Sequence, residues 1–278
     1  MGLFDYSTAE HAAGRSVGLG LFRTLGDKVL RLLSAATIII VWQLTASLQL
    51  LELPSPITTL RVFIDLIISG DPLYNRTLPG IVWASLQIVI KACAVSIVVA
   101  VSLGVLMGAV QPLRKYFEAI LEMLRPIPPL AWIPLAYVMF ANTGSPTEYV
   151  QIFVVFVGAF FPILLNTIHG ISMINRIHLE AARTMGASPR QVLLQVMLPA
   201  SLPSIFNGIR VGFGVGWMSI VAAEFVGGKL GIGYYIWSSY SVGGRTAEII
   251  SGMAAIGIVG SLINKAILLT EKRLVPWR

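Results

Sequence analysis

Charge is scarce in this chain: Asp, Glu, Lys and Arg make up 12% of 278 residues, against roughly a quarter in a soluble globular domain. With 56% hydrophobic residues and a mean hydropathy of +0.80, this excludes a soluble globular protein and marks a membrane protein. Cysteine is nearly absent. The single Cys93 sits in an apolar run, which excludes a disulfide framework and a set of thiolate ligands and leaves a small buried hydrophobe. The three histidines, His11, His169 and His178, lack metal-ligand spacing, and no nucleophile, base and acid stand together. No G-x-x-x-x-G-K-[ST] occurs, so the chain forms no P-loop of its own. Residues 1–30 hold Asp5, Glu10 and several glycines without an early apolar core, unlike a cleavable signal peptide. The first span is then the insertion signal.

Long apolar runs dominate. Six are expected to cross about 30 Å of hydrocarbon: 32–51, 81–110, 118–141, 149–171, 202–226 and 247–269. With the N-terminus inside, the cytoplasmic segments carry Arg15, Arg23, Lys28, Arg31, Arg114, Lys115, Arg176, Arg183, Arg190, Lys265, Lys272, Arg273 and Arg278, and the outer loops only Arg61, Arg76, Lys229 and Arg245. This asymmetry places both termini in the cytoplasm of a multi-pass inner-membrane protein. It also accounts for the formal charge of +7 without invoking nucleic acid. The expected architecture is all-α: a cytoplasmic N-terminal segment 1–31, a transmembrane domain 32–271 and a cytoplasmic tail 272–278. In the first segment, Leu21, Phe22, Leu25 and Val29 share a helical face and Arg23, Asp27 and Lys28 lie elsewhere. That pattern reads as an amphipathic helix on the inner membrane surface, a lead-in or packing collar.

EAARTMGASPRQVLLQVMLP, residues 180–199, is a polar island in this apolar chain. NRIHLEAARTMG supplies about three turns of good helix formers ending at Gly186, which can take the left-handed conformation that stops helices. Ser188 then caps a second helix, Pro189 suits its first turn and Gln191 completes a capping box. Pro199 and Pro203 are expected to break the chain before the fifth span. The product is a cytoplasmic hairpin over about 176–199, which from helix patterning alone could be an ordinary connector.

The residue pattern is more specific than that. Glu180, Ala181, Ala182, Gly186, Val196, Leu198 and Pro199 match the spacing of the EAA signature, and the chain resembles ABC importer permeases that carry it. LRPIPPLAWIPLA at 124–136, GVGWMSIVAAEF at 214–225, LGIGYYI at 230–236 and EKRLVPW at 271–277 are similar to the nitrate, sulfonate, taurine and bicarbonate branch of that family. The match covers roughly residues 80–278. Two positions depart from the pattern: Val196 stands where Ile is usual, and Ile88 where the branch commonly has Arg, the nearby base being Lys91.

The resemblance implies a type I importer permease that works as a homodimer with two cytoplasmic ATP-binding subunits and an extracytoplasmic substrate-binding protein. ATP and Mg would be bound by the partner ATPase, not by this chain. Glu180 would supply a charged contact to the ATPase, Ala181 and Ala182 a close-packing surface, and Gly186 the turn; Arg183 and Arg190 are polar contacts or solvated charge. Sulfonates such as taurine come first as solutes, then nitrate, bicarbonate and cyanate-like anions.

Along the path, ionisable groups inside spans are the primary candidates: Lys91, Arg125, Arg210 and Glu224. Lys91 lies too deep to snorkel easily, so it faces the path or is paired. Arg125 and Arg210 can snorkel, or pair with Glu118 or Glu122. Glu224 either acts at the outer mouth or makes a structural hydrogen bond. Pro126, Pro128, Pro129 and Pro134 interrupt the third span, as broken helices lining a path do. Trp132, Asn166, Trp217 and Gln87 are further path candidates or ordinary packing. Gly208, Gly212, Gly214 and Gly216 permit close helix approach, within the chain or at a dimer seam. A secondary transporter or channel would need dense ionisable coupling groups, and a membrane enzyme a clustered active site; neither pattern is present.

Overall fold

The computed structural model of the chain describes residues 29–30, 33–34, 36–49 and 52–276. Leu21, Phe22, Arg23, Leu25, Asp27 and Lys28, and with them the expected amphipathic face, lie outside the described residues. So do Arg15, Arg31, Trp277 and Arg278. The chain divides into two compact units, Met1–Val62 and Phe63–Arg278. In the first, α1 (Ala36–Ser47) is a short apolar helix. It ends at a turn in which Gln49 takes a positive φ of 52°, and Trp42 donates its indole N–H to the Pro54 carbonyl at 3.0 Å. α2 (Pro56–Ile68) follows.

The remaining helices are α3 (Leu78–Ala109), α4 (Gln111–Leu124), α5 (Ile133–Phe140), α6 (Pro146–Ser172), α7 (Arg176–Thr184), α8 (Pro189–Gln191), α9 (Leu198–Gly227), α10 (Ile232–Val242) and α11 (Thr246–Leu274). Among the described residues the only β pairing is the isolated bridge Asp71–Arg76. Among the described residues, four helical stretches are long and apolar enough to cross a membrane: Leu78–Ala109, Pro146–Ser172, Pro189–Gly227 and Thr246–Leu274. α4 with the segment Pro129–Phe140 makes a fifth if counted as one span.

The second unit is organised by α6, which packs between α3 and α9. Its sequence is nearly all apolar and puts Val154, Val155, Ile163 and Leu164 in the core. Small residues on both neighbours bring the backbones together. Added Cβ atoms would lie 2.6 Å from Thr167 at Gly104 and 2.6 Å from Ile171 at Gly108, both on α3. On α9, Gly208 and Gly212 would come within 2.8 Å of Asn166 and of Ala159 and Ile163. Gly208, Gly212 and Gly216 therefore form a seam within this chain, whereas Gly214 faces open space.

Of the two expectations about prolines, the first agrees with the structure and the second is corrected. The run 118–141 is interrupted as its prolines suggest: α4 and Pro129–Phe140 meet at 91°. Proline disfavours helical backbone in the residue before it, and Pro128, ahead of Pro129, is extended with ψ 141°. A 3₁₀ turn, Pro129–Trp132, then leads into α5. α4 has no buried residue, and with Arg114, Lys115, Glu118 and Glu122 interleaved among Tyr116, Phe117, Ile120 and Met123 it has the pattern of an interfacial helix.

Conversely, Pro199 and Pro203 do not break the chain. α8, a π-helical stretch Val192–Met197 and α9 run on as one helical rod, Pro189–Gly227. The Leu198 N–H bonds to Leu193 five residues back, and Pro199, which has no N–H to give, comes next. A one-residue slip in the ladder thus absorbs the proline that would have stopped an α-helix.

Candidate functional site

The polar hairpin is built as its sequence suggests at both caps. Asn175 accepts the Ile177 N–H at 3.0 Å and starts α7. At the other end the N–H of Ala187 bonds to Ala182 at 3.0 Å and that of Gly186 to Arg183 at 2.9 Å, the paired bonds of a Schellman stop. Gly186 has φ +85° there. Ser188 and Gln191 then cap each other's backbone at 3.4 and 2.8 Å. Glu180, Ala181, Arg183, Gly186 and Arg190 are exposed, whereas Ala182 is buried against its own chain. Ile177 and Met185 are also exposed, Met185 at 82%. Neither figured among the sequence candidates, because nothing in composition separates an exposed apolar residue from a buried one.

Near the middle of α6, a cavity of about 300 Å³ is lined by Arg125, Ile127, Pro129, Gly158, Phe161, Pro162, Asn166, Val211 and Val215, among others. It joins the proline break of 126–129 to Pro162 inside α6. Pro162 has no N–H for the carbonyl of Gly158, and both residues line the cavity. Arg125 supplies its charge. Asn166 is held by neighbours: it donates to Pro162 at 2.8 Å and accepts from Asn207 at 3.0 Å, and Arg210 donates to Asn207 at 2.6 Å. Arg210 is therefore satisfied by α9 itself. Of the two acids considered for Arg125 and Arg210, Glu118 pairs with Arg114 at 3.9 Å.

Toward the end of α6 away from the hairpin, a second concavity of about 570 Å³ is lined by Gln87, Ile88, Lys91, Thr147, Glu148, Gln151 and Lys229, among others. Lys91 is paired: its Nζ lies 2.8 Å from Glu148 Oε1, with both side chains about half exposed. Trp132 and Trp217 line neither space. Trp132 packs edge to face on Phe153. Trp217 is buried and donates to the Ile256 carbonyl at 3.1 Å, a strut from α9 to α11.

Glu224 is fully enclosed. Its carboxylate accepts the Ser85 hydroxyl at 2.7 Å and the Gly233 N–H at 2.7 Å, and Ser85 in turn accepts the Ile232 N–H at 2.9 Å. Carboxylate and hydroxyl together satisfy the first amides of α10. The approach is so close that a Cβ on Gly231, whose φ is +126°, would lie 2.1 Å from the carboxylate. Of the two roles open to Glu224, this geometry provides the structural hydrogen bond.

A second polar knot was not legible in sequence. Asp71, fully enclosed, accepts hydrogen bonds from Tyr235 at 2.9 Å and from the Arg245 guanidinium. Arg245 also reaches Glu248 at 3.2 Å and lies over the Tyr74 ring. Burial, then the hydrogen bond and charge of Asp71, push the Tyr235 phenol well above the usual tyrosine range. Burial works against the Arg245 cation, but Asp71 and Glu248 outweigh it and hold its pKa above the usual value. One Asp and one Arg far apart in a single sequence carry no sign that they meet.

Residues 96–277 match the family model described as the binding-protein-dependent transport system inner membrane component. The nitrate import permease protein of Synechocystis sp. is 34% identical over 255 residues, 90% of each chain. The taurine transport system permease protein of Escherichia coli is 31% identical over 245 residues, 87% of each chain. Among solved structures, an inward-facing form of the MetNI methionine ABC transporter is similar, with a TM-score of 0.62 and 22% identity. That match covers 69% of this chain and 93% of the other, and it supports the fold alone. The chain belongs to the inner-membrane permease family of binding-protein-dependent ABC importers.

Proposed function

We propose that this chain is the path-forming subunit of an ATP-driven importer for a small anion. On this reading it has six spans with both termini cytoplasmic and works as a homodimer. Two cytoplasmic ATP-binding subunits hold ATP and Mg, and an extracytoplasmic protein delivers the solute. The charge asymmetry of its loops supports the orientation. Four membrane-length helices, with a fifth span if the bent pair counts as one, support a multi-span path, and the six apolar runs of the sequence support the full count.

The observation that carries the coupling assignment is the hairpin. Both its ends are rigidly capped, and it presents Glu180, Ala181, Arg183 and Arg190 to solvent around the exposed apolar Ile177 and Met185. This mixture of a small apolar contact and a charged rim suits a protein groove. Ala182 fixes α7 to its own chain, and Gly186 makes the turn. The uninterrupted rod Pro189–Gly227 runs from the hairpin to Val211 and Val215 at the cavity wall. A displacement imposed on the hairpin by ATPase closure would reach the path without passing a hinge.

For the solute, Arg125 is the charged group of the central cavity, which favours an anion. The similar nitrate and taurine permeases support the same class, with sulfonates first and nitrate and bicarbonate following. Purification of the solubilised chain from its own cells tests the assignment. An ATPase chain should co-purify, and Glu180→Arg and Gly186→Asp should each abolish that association or ATP-driven uptake. Wild-type transport by both variants would refute the coupling role.

A further inference from the structure

We infer that the concavity at the end of α6 away from the hairpin is a receiving site for a monoanion, in which Glu148 holds Lys91 until the solute displaces it. The inference deepens the anion-permease reading and rests on it for the solute class. Three observations carry it.

First, the lining holds two cations, Lys91 and Lys229, against one anion, Glu148, leaving one uncompensated positive charge in a space of about 570 Å³. A single negative charge neutralises it. Second, Gln151 is 4% exposed and lines this space, yet no described residue hydrogen-bonds its amide. The amide opens to the concavity, where a solute oxygen can accept its hydrogen bond. Third, the Lys91–Glu148 contact is open to water, with side-chain exposures of 58% and 45%. Exposed ion pairs are weak, so an entering anion can take Lys91 from Glu148. The first turn of α6, which contributes Pro146, Thr147 and Glu148 to the lining, adds the positive end of its dipole.

Glu148 is thus a competitor of the solute, and this gives the site a signature that a merely structural ion pair lacks. Breaking the pair from the two sides must have opposite effects. The test uses the full-length solubilised chain with nitrate as the probe and ionic strength held constant with gluconate. Acylation of Lys91 and Lys229 by an amine-reactive reagent is followed by mass spectrometry. Nitrate is expected to protect both lysines in the wild type. Losing one charge-assisted hydrogen bond in Lys91→Gln should raise the half-protecting concentration at Lys229 by about tenfold. Glu148→Gln should lower it, and Gln151→Leu should raise it. Absence of protection, or shifts of the same sign for Lys91→Gln and Glu148→Gln, would overturn the site. The readout needs neither ATP nor an ATPase, so it stands apart from the coupling assignment. An active ATP-driven permease without protection refutes this site alone, and protection without ATP-driven uptake refutes the coupling role alone.

Discussion

Asp71 and Arg245 are 174 residues apart in sequence and form an ion pair in which the carboxylate is fully enclosed and the guanidinium is 14% exposed. The pair ties the loop between α2 and α3 to the start of α11, and Tyr235 adds α10 to the same point. Partly buried ion pairs owe their effect less to their own attraction than to the cost of stranding one partner.

Arg245→Ala should therefore be severe. It leaves Asp71 enclosed without its cation, at about 3–5 kcal/mol, and should lower the melting temperature in detergent by roughly 10 °C. Asp71→Asn combined with Arg245→Met should be milder than Arg245→Ala alone, because no charge is then stranded. Intrinsic tryptophan fluorescence during thermal unfolding measures both.

The same knot has an alkaline signature. The Tyr235 pKa is raised in the folded chain, so the unfolded state gives up its phenolic proton first as pH rises past about 10. The unfolded state is then favoured, and the contribution of Tyr235 is intact below pH 10 and declines above it. Tyr235→Phe removes both the hydrogen bond to Asp71 and the titration. It should be less stable than wild type by about 1 kcal/mol near neutrality, and the gap should narrow in melting curves taken above pH 10.

Helix packing offers a paired test on α9. Gly208→Ala drives a methyl to 2.8 Å from Asn166 and should cost about 1–3 kcal/mol as overpacking. Gly214→Ala meets nothing within 4 Å and should be neutral or slightly stabilising, since alanine is the better helix former. Equal effects at the two positions would remove Gly208 from the seam with α6.

At Gly186 the space beside the Cα is empty, so the backbone alone resists substitution. Gly186→Ala should loosen the hairpin by about 1 kcal/mol and Gly186→Asn by less, since asparagine tolerates the left-handed region. Hydrogen exchange over residues 176–191 should rise, while protection within α6 stays unchanged.

Much of the local structure was legible in the chain. The expected boundaries of 81–110, 149–171 and 247–269 lie within about five residues of helices Leu78–Ala109, Pro146–Ser172 and Thr246–Leu274. The caps at Asn175, Gly186 and Ser188 follow from neighbouring residues, and local hydrogen bonds need only local sequence. The prolines were harder. Three of them, Pro126, Pro128 and Pro129, stand at a 91° bend, whereas Pro199 is carried inside a helical rod, because whether a ladder slips or breaks depends on what packs around it. α10 also went unseen: LGIGYYI carries no helical cap, and the carboxylate that satisfies its first amides comes from Glu224 on another helix.

Composition and spacing by themselves determined that the chain lives in a membrane and that its polar hairpin follows the EAA pattern. These are properties of a sequence read a few residues at a time. Only the tertiary structure decided which of the sparse polar groups meet. It set Arg125 and Asn166 on the wall of one cavity, Lys91 against Glu148, Glu224 under α10 and Asp71 against Arg245. In a chain this poor in charge each such group must find a partner or face a cavity, and the fold chooses which.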